Sequence, residues 1–237
     1  MNLKEIPDIG CDPLRYCLKN NIINHHGLWL EFGVYKGQTL DLISSYTDQK
    51  VYGFDTFVGI DQEWSGTSSG SMNSFNIGGK PPSQVIPLDK DRRYGNNTGK
   101  QRPFNKNVNF VSGDFRQTLP HFLEKNSADI SFMHIDCDLY ESTEAIFKHC
   151  GNLLQKGSVV VFDELVNYKG YQQDELKAFN EFIAKNKNFD FKWIGMDGRV
   201  LSDKELDRLG NYDKMSKEDR ESFMQSPPGF SVALLVK

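Results

Sequence analysis

Five short apolar runs constrain the fold of this 237-residue chain more than any other feature: LWLEFGV from residue 28, VYGFD from 51, VNFVSGD from 108, DISFMHID from 129 and GSVVVFDE from 157. Each has strand length and is rich in β-branched or aromatic residues, and stretches of helical periodicity separate them. Helices are expected over Gly37 to Tyr46, over FRQTLPHFLEKN from Phe115 and over YESTEAIFKHCGNLLQK from Tyr140. Strands alternating with helices in this way imply a parallel, doubly wound sheet. A further helix is expected over Gln172 to Lys187, where Leu176, Phe179, Phe182 and Ile183 recur at helical spacing. FDFKWIG and GFSVALLVK follow as closing strands, and with no true crossover helix between them they predict an antiparallel partner at the sheet edge. The expectation is one α/β domain over residues 1–237 with a mostly parallel seven-stranded sheet, preceded by a helical segment within 1–27 (Asp12 to Asn24).

Two segments do not fit this rhythm. Residues 57–107 form a span rich in Gly, Ser, Asn and Pro, far longer than a typical connection of about 4 to 6 residues, and such spans are lids, binding loops or plain insertions. From Lys80 to Lys106 it carries seven Lys or Arg against Asp89 and Asp91, a local charge of +5, which suits a lid over a polar or anionic substrate. Residues 198–228 read as a polar surface excursion with a short helix near Ser216 to Met224.

The net charge of −4 and pI near 5.8 give no global reason to expect nucleic acid or an anionic membrane as partner, so a small molecule is expected. Cys11, Cys17, Cys137 and Cys150 form no C-x-x-C pair, and the chain shows neither an apolar leader nor about 18 consecutive apolar residues. A reducing, cytoplasmic compartment is the expectation; a homo-oligomer stays open.

In open α/β sheets, ligands bind outside the carboxyl ends of the strands near the switch in strand order. The first strand ends in EFGVYKG, with Glu31, Gly33, Tyr35 and Gly37, and the second ends in Asp55, placed to accept hydrogen bonds from both hydroxyls of a ribose. The glycine spacing departs from G-x-G-x-x-G, which argues against a dinucleotide and towards a nucleoside cofactor without phosphates, such as S-adenosylmethionine.

LEFGVYKGQTL, VYGFDTFVGI, VNFVSGDFRQTLP, FMHIDCDLYEST and GSVVVFDE, in that order, resemble class I S-adenosylmethionine-dependent methyltransferases, especially the macrocin O-methyltransferase type that acts on sugar hydroxyls. The resemblance covers roughly residues 28–165 and implies a Rossmann-like fold. It places the first loop against the methionine part of the cofactor, Asp55 on the ribose, and Gly113 and Asp114 near the adenine. With Tyr35 and the neighbouring Asp136, the expected cofactor set is Glu31, Gly33, Tyr35, Gly37, Asp55, Gly113, Asp114 and Asp136.

If the fourth and fifth runs are adjacent strands, about 4.8 Å apart, Asp136, Asp138, Asp163 and Glu164 share one rim. Carboxylates so close raise one another's pKa unless a cation neutralises them, and hard oxygen ligands favour Mg²⁺ or Ca²⁺ over zinc. The resemblance implies a divalent cation, Mg²⁺ by expectation, on Asp136, Asp163 and Glu164, with Asp136 also the general base that takes a proton from a hydroxylated small-molecule acceptor. Asp138 has a second reading, as the cap of the following helix. His134 reads as a packed, hydrogen-bonded strand residue, and His25, His26 and His121 have similar ordinary readings; Tyr140, Phe57 and Trp64 are either core or contacts to cofactor or acceptor. Two other functions share these features: a nicotinamide-linked dehydrogenase, and a ligand-binding protein of the same fold without turnover.

Overall fold

The computed structural model describes residues 1–23, 26–60, 80–84, 102–209 and 229–237. The elements are α1 (Pro13–Lys19), β1 (Leu28–Phe32), α2 (Gln38–Ser44), β2 (Val51–Asp55), β3 (Val108–Ser112), α3 (Phe115–Lys125) and β4 (Ile130–Ile135). They continue with α4 (Tyr140–Cys150), β5 (Leu154–Phe162), α5 (Glu175–Lys185), β6 (Phe191–Met196), α6 (Asp203–Leu209) and β7 (Val232–Val236). Asp12 opens α1 by accepting the Arg15 N–H at 2.7 Å, with Pro13 at the first helical position, where its missing N–H costs nothing.

The seven strands form one sheet in the order β3-β2-β1-β4-β5-β7-β6. β1 to β5 pair in parallel, and β7 runs antiparallel to both β5 and β6, so the antiparallel pairing expected at this edge is made by β7, with β6 outermost. The order reverses between β1 and β4, and this switch point is where α/β proteins bind ligands, outside the carboxyl ends of the strands.

Side chains alternate between two apolar layers. Phe32, Phe54, Met133, Ile135 and Phe162 face one core, with Phe147 of α4 and Phe179 and Phe182 of α5. Trp29, Phe132, Val159 and Val161 face the other, with Leu14 and Leu18 of α1 and Leu40 and Ile43 of α2. The first layer is aromatic: Phe147 stacks on Phe179 and Phe182 at centroid distances of 5.4 and 4.7 Å. Such contacts add about 0.5–1.5 kcal/mol each beyond area burial and fix α4 against α5.

Of the long insertion, only 57–60, 80–84 and 102–107 lie among the described residues; the lid reading, Trp64 and most of its basic residues lie outside them, as do His25 and the helix expected over 216–224. The returning end is anchored firmly. Arg102 pairs with the buried Asp41 of α2, Asn105 donates to Asp41 and Ser44, and Asn107 donates to three carbonyls at 2.8–3.0 Å. α6, starting at Asp203, is a helix that the polar sequence of this excursion did not signal.

Candidate active site

The strand ladders continue past the strand ends and align the loops in a row. Gly33 N–H donates to Phe54 O at 2.9 Å, Gly113 N–H to Asp55 O at 3.0 Å, Asp136 N–H to Phe32 O at 2.8 Å and Asp163 N–H to Ile135 O at 2.8 Å. Glycine is required at position 33 because φ is +88° and a Cβ there would lie 1.6 Å from the Asp136 carbonyl oxygen. That glycine lets the β1 loop close against the β4 loop. Gly37 has φ +76°, and a Cβ would meet the Phe104 ring at 2.6 Å, so the returning arm of the insertion packs onto the start of α2.

Asp55 organises this crevice from β2. Its Oδ2 accepts the Val34 and Tyr35 N–H groups, both at 2.8 Å, and its Oδ1 accepts Phe57 N–H at 2.7 Å. Tyr35 is held in a left-handed conformation, φ 48°, by this loop. An ionised carboxylate has about four lone-pair sites, so three backbone donors leave about one for a ligand. Asp114 caps α3 by accepting Arg116 N–H at 2.8 Å and pairs with the Arg116 guanidinium, which holds its acid below the ordinary range.

Glu31 and His134 are cross-strand partners on β1 and β4. Both are fully buried, and His134 Nδ1 lies 3.1 Å from Glu31 Oε1. Burial pushes the Glu31 acid up to about 7; burial by itself would lower His134, but the hydrogen bond and charge of Glu31 outweigh it and raise His134 above its ordinary value. Glu31 Oε2 and His134 Nε2 are buried with no hydrogen-bond partner among the described residues; Nε2 faces Asp163 Oδ1 at 4.0 Å, beyond hydrogen-bond range. The hydrogen-bonded reading of His134 thus holds for Nδ1 only. An orphaned carboxylate oxygen beside the β1 loop is a fitting acceptor for the ammonium of a methionine moiety.

Four acids meet where β4 and β5 end. Asp136, Asp138 and Glu164 each offer an oxygen, and these oxygens lie within 4.8 Å of one another. Asp163 stands beside them, accepting Ser231 Oγ–H at 3.3 Å. Burial first, then the surrounding negative charges, raise Asp136 and Glu164 well above the carboxylate range and push Asp138 up to about 7. Glu164 Oε2 is buried with no partner among the described residues. An all-oxygen set with an orphaned atom fits Mg²⁺ or Ca²⁺ and lacks the soft ligands zinc prefers. Asp138 does not cap α4, whose N-cap is Leu139 with no side-chain bond; it occupies a left-handed turn, φ 66°, that turns its carboxylate into the group. Thr143, in the first turn of α4, is buried, and its hydroxyl donates to Leu139 O.

Asn167, which carried no signal in the sequence, locks the far wall. It is fully buried in a left-handed conformation, donates to Arg199 O at 3.0 Å and Gly229 O at 2.8 Å, and accepts Leu201 N–H at 2.8 Å. Both ends of the 202–228 excursion are thereby tied to the loop that carries Asp163 and Glu164.

A family model described as a methyltransferase domain matches residues 30–165. That span contains both strand-end loops, Asp55 and all four rim acids. The chain belongs to this methyltransferase family. It is an S-adenosylmethionine-dependent enzyme of the class I fold. The methyltransferase resembles the solved O-methyltransferase NovP, with 23% identity over 77% of this chain and 74% of that one and a TM-score of 0.51. It also resembles an O-methyltransferase from Bacillus cereus in complex with SAH, with 13% identity over 98% and 84% of the two chains and a TM-score of 0.53. At such identities these likenesses concern the fold. No curated protein matches the methyltransferase significantly in sequence. Membership of the family decides against the dehydrogenase reading.

Proposed function

We propose that the enzyme transfers the methyl group of S-adenosylmethionine to a hydroxyl of a small molecule, a sugar or glycosylated metabolite by preference, with help from a divalent cation. The observation that carries this reading is the convergence of Asp136, Asp138 and Glu164 beside the switch-point crevice, with Glu164 Oε2 left without a partner. The two structural neighbours named above are O-methyltransferases, which supports an oxygen acceptor.

An alcohol is a poor nucleophile near neutral pH, so its proton must leave as the methyl group arrives. When bound by Asp136, Asp138 and Glu164, Mg²⁺ supplies Lewis acidity that lowers the pKa of a coordinated oxygen. Asp163 adds negative charge beside that set; its place as a direct ligand belongs to the proposal. Asp136 accepts the hydroxyl proton as general base, a role that contributes about 10²- to 10⁴-fold. On the cofactor side, Asp55 shapes the β1 loop through its three backbone bonds and offers its remaining lone pair to the ribose, while Glu31 faces the methionine ammonium. Gly33, Tyr35 and Gly37 form the loop itself, and Gly113 and Asp114 border the adenine. His134 orients Glu31 through Nδ1. The partners are the cofactor and a neutral or polar acceptor, with no role for nucleic acid or membrane.

The test is a screen of hydroxylated metabolites and sugar derivatives with a radiolabelled methyl donor. Label transferred to an oxygen supports the reading; label transferred only to nitrogen or carbon acceptors contradicts it.

A further inference from the structure

One buried acid near the rim has no part in the mechanism above. Glu175 is the first residue of α5, contributed by a segment beyond the family match, and it is fully buried. An acid in the first turn of a helix is ordinary when solvated; one sealed from water costs several kcal/mol unless it is hydrogen-bonded or neutralised. Its neighbours Leu176 and Phe179 show that this face of α5 is core, where an aliphatic side chain would serve packing better.

The side chain spans from α5 to the turn after β4. Glu175 Oε1 accepts Cys137 N–H at 3.5 Å, and burial, followed by the charge of Asp138, raises its acid well above the ordinary carboxylate range. That turn holds Asp138 at φ 66°, a left-handed conformation that Asp adopts more readily than most non-glycine residues. Within the turn, Leu139 N–H donates back to Cys137 O at 2.7 Å. Glu175 is thus the side chain that braces the turn from outside, and its second oxygen, Oε2, is buried without a partner among the described residues. Its contact is with the backbone of this turn, so it acts on the site through Asp138.

We propose that Glu175 is a positioning residue of the cation site: by accepting the Cys137 N–H of the turn that leads into Asp138 it keeps the Asp138 carboxylate facing Asp136 and Glu164. The proposal rests on the divalent-cation reading given above. Supporting groups of this kind typically govern about 10- to 100-fold of metal affinity.

The experiment compares the full chain with Glu175→Gln, which keeps an accepting oxygen at the same reach, and Glu175→Met, which keeps the volume and loses the acceptor. Calorimetry reads the Mg²⁺ affinity with SAH saturating, and separately the SAH affinity. The expected result is a loss of Mg²⁺ affinity of at least about tenfold in Glu175→Met, recovery to within about threefold of wild type in Glu175→Gln, and SAH affinity within about twofold throughout. Should Glu175→Met fail to fold, Glu175→Asp, whose shorter arm withdraws the acceptor, takes its place with the same expectation. Equal Mg²⁺ affinity in all variants overturns the proposal alone, as does a parallel loss of SAH and Mg²⁺ binding, which marks a merely structural residue. A Gln variant as weak as Met also overturns it, since charge and not the hydrogen bond would then matter. A wild-type chain that binds no Mg²⁺ overturns the cation reading first, and this proposal with it.

Discussion

Replacing Asp138 by Asn removes one charge from the acid rim and disturbs little else. The two side chains have the same shape, and both tolerate the left-handed backbone found there, φ 66°. Burial, followed by the charges of Asp163 and Asp174, raises the Asp138 acid from 3.8 to about 7. Between those values the unfolded chain has lost this proton and the folded chain has kept it. Stability of the metal-free protein therefore falls as pH rises from about 4 to about 7 and levels off above. The interval is worth about 4 kcal/mol at about 1.4 kcal/mol per pH unit, or about 2–4 kcal/mol once solvent reaching the rim is allowed for. For a chain of this length that is about 5–10 °C in melting temperature. In chelator at pH 8, Asp138→Asn should melt about 5–10 °C above wild type by calorimetry, and the gap should close at pH 4. Saturating Mg²⁺ at pH 8 should raise the wild type more than the variant. A variant that melts below wild type at pH 8 in chelator, or a gap of equal size at both pH values, would refute the reasoning that these acids repel one another in the folded state.

Two further perturbations probe the scaffold of the site. Asp55→Ala removes the acceptor for the Val34, Tyr35 and Phe57 N–H groups; at about 2 kcal/mol for bonds to a charged group, SAH affinity should drop about thirtyfold by calorimetry, and unchanged affinity would detach the β1 loop from cofactor binding. Asn167→Ala strands two carbonyls and one N–H and leaves Ala at φ 71°, so a loss of about 3 kcal/mol and a melting point about 6–12 °C lower are expected; a change under about 1 °C would show that its three bonds are replaceable.

The parallel half of the sheet was readable because each strand is a short apolar run ending in glycine or acid, and β1 to β4 with α2 to α5 fall within the predicted stretches, whereas β5 begins at Leu154, inside the stretch read as the end of the preceding helix. The acid rim was readable for the same reason: once β4 and β5 are neighbours, the residues just past their ends must meet. What the sequence hid depends on turns and long-range contacts. Asp138 looks like a helix cap because Asp commonly is one, and only the left-handed turn sends it to the acid rim instead. Gly33 suggested close approach of a ligand, whereas the atom its missing Cβ makes room for is the Asp136 carbonyl. Asp55 was legible as a ligand acceptor but not as the clamp of the β1 loop, since its donors lie about twenty residues away in sequence. Glu175 and Asn167 carried no signal in the sequence, and only the packing of α5 and the closure of the 199–201 and 229–231 segments bury them.

The central claim is that this methyltransferase acts on a hydroxyl with a divalent cation held by Asp136, Asp138 and Glu164. Its most direct test is methyl transfer from radiolabelled S-adenosylmethionine to an accepted sugar or glycosylated substrate, run in excess chelator and then with Mg²⁺ restored. The account predicts that label incorporation falls to background in chelator, returns with Mg²⁺, and fails to return in Asp136→Asn, although that variant still binds SAH. Undiminished transfer in chelator, with Asp136→Asn near wild type, would contradict it.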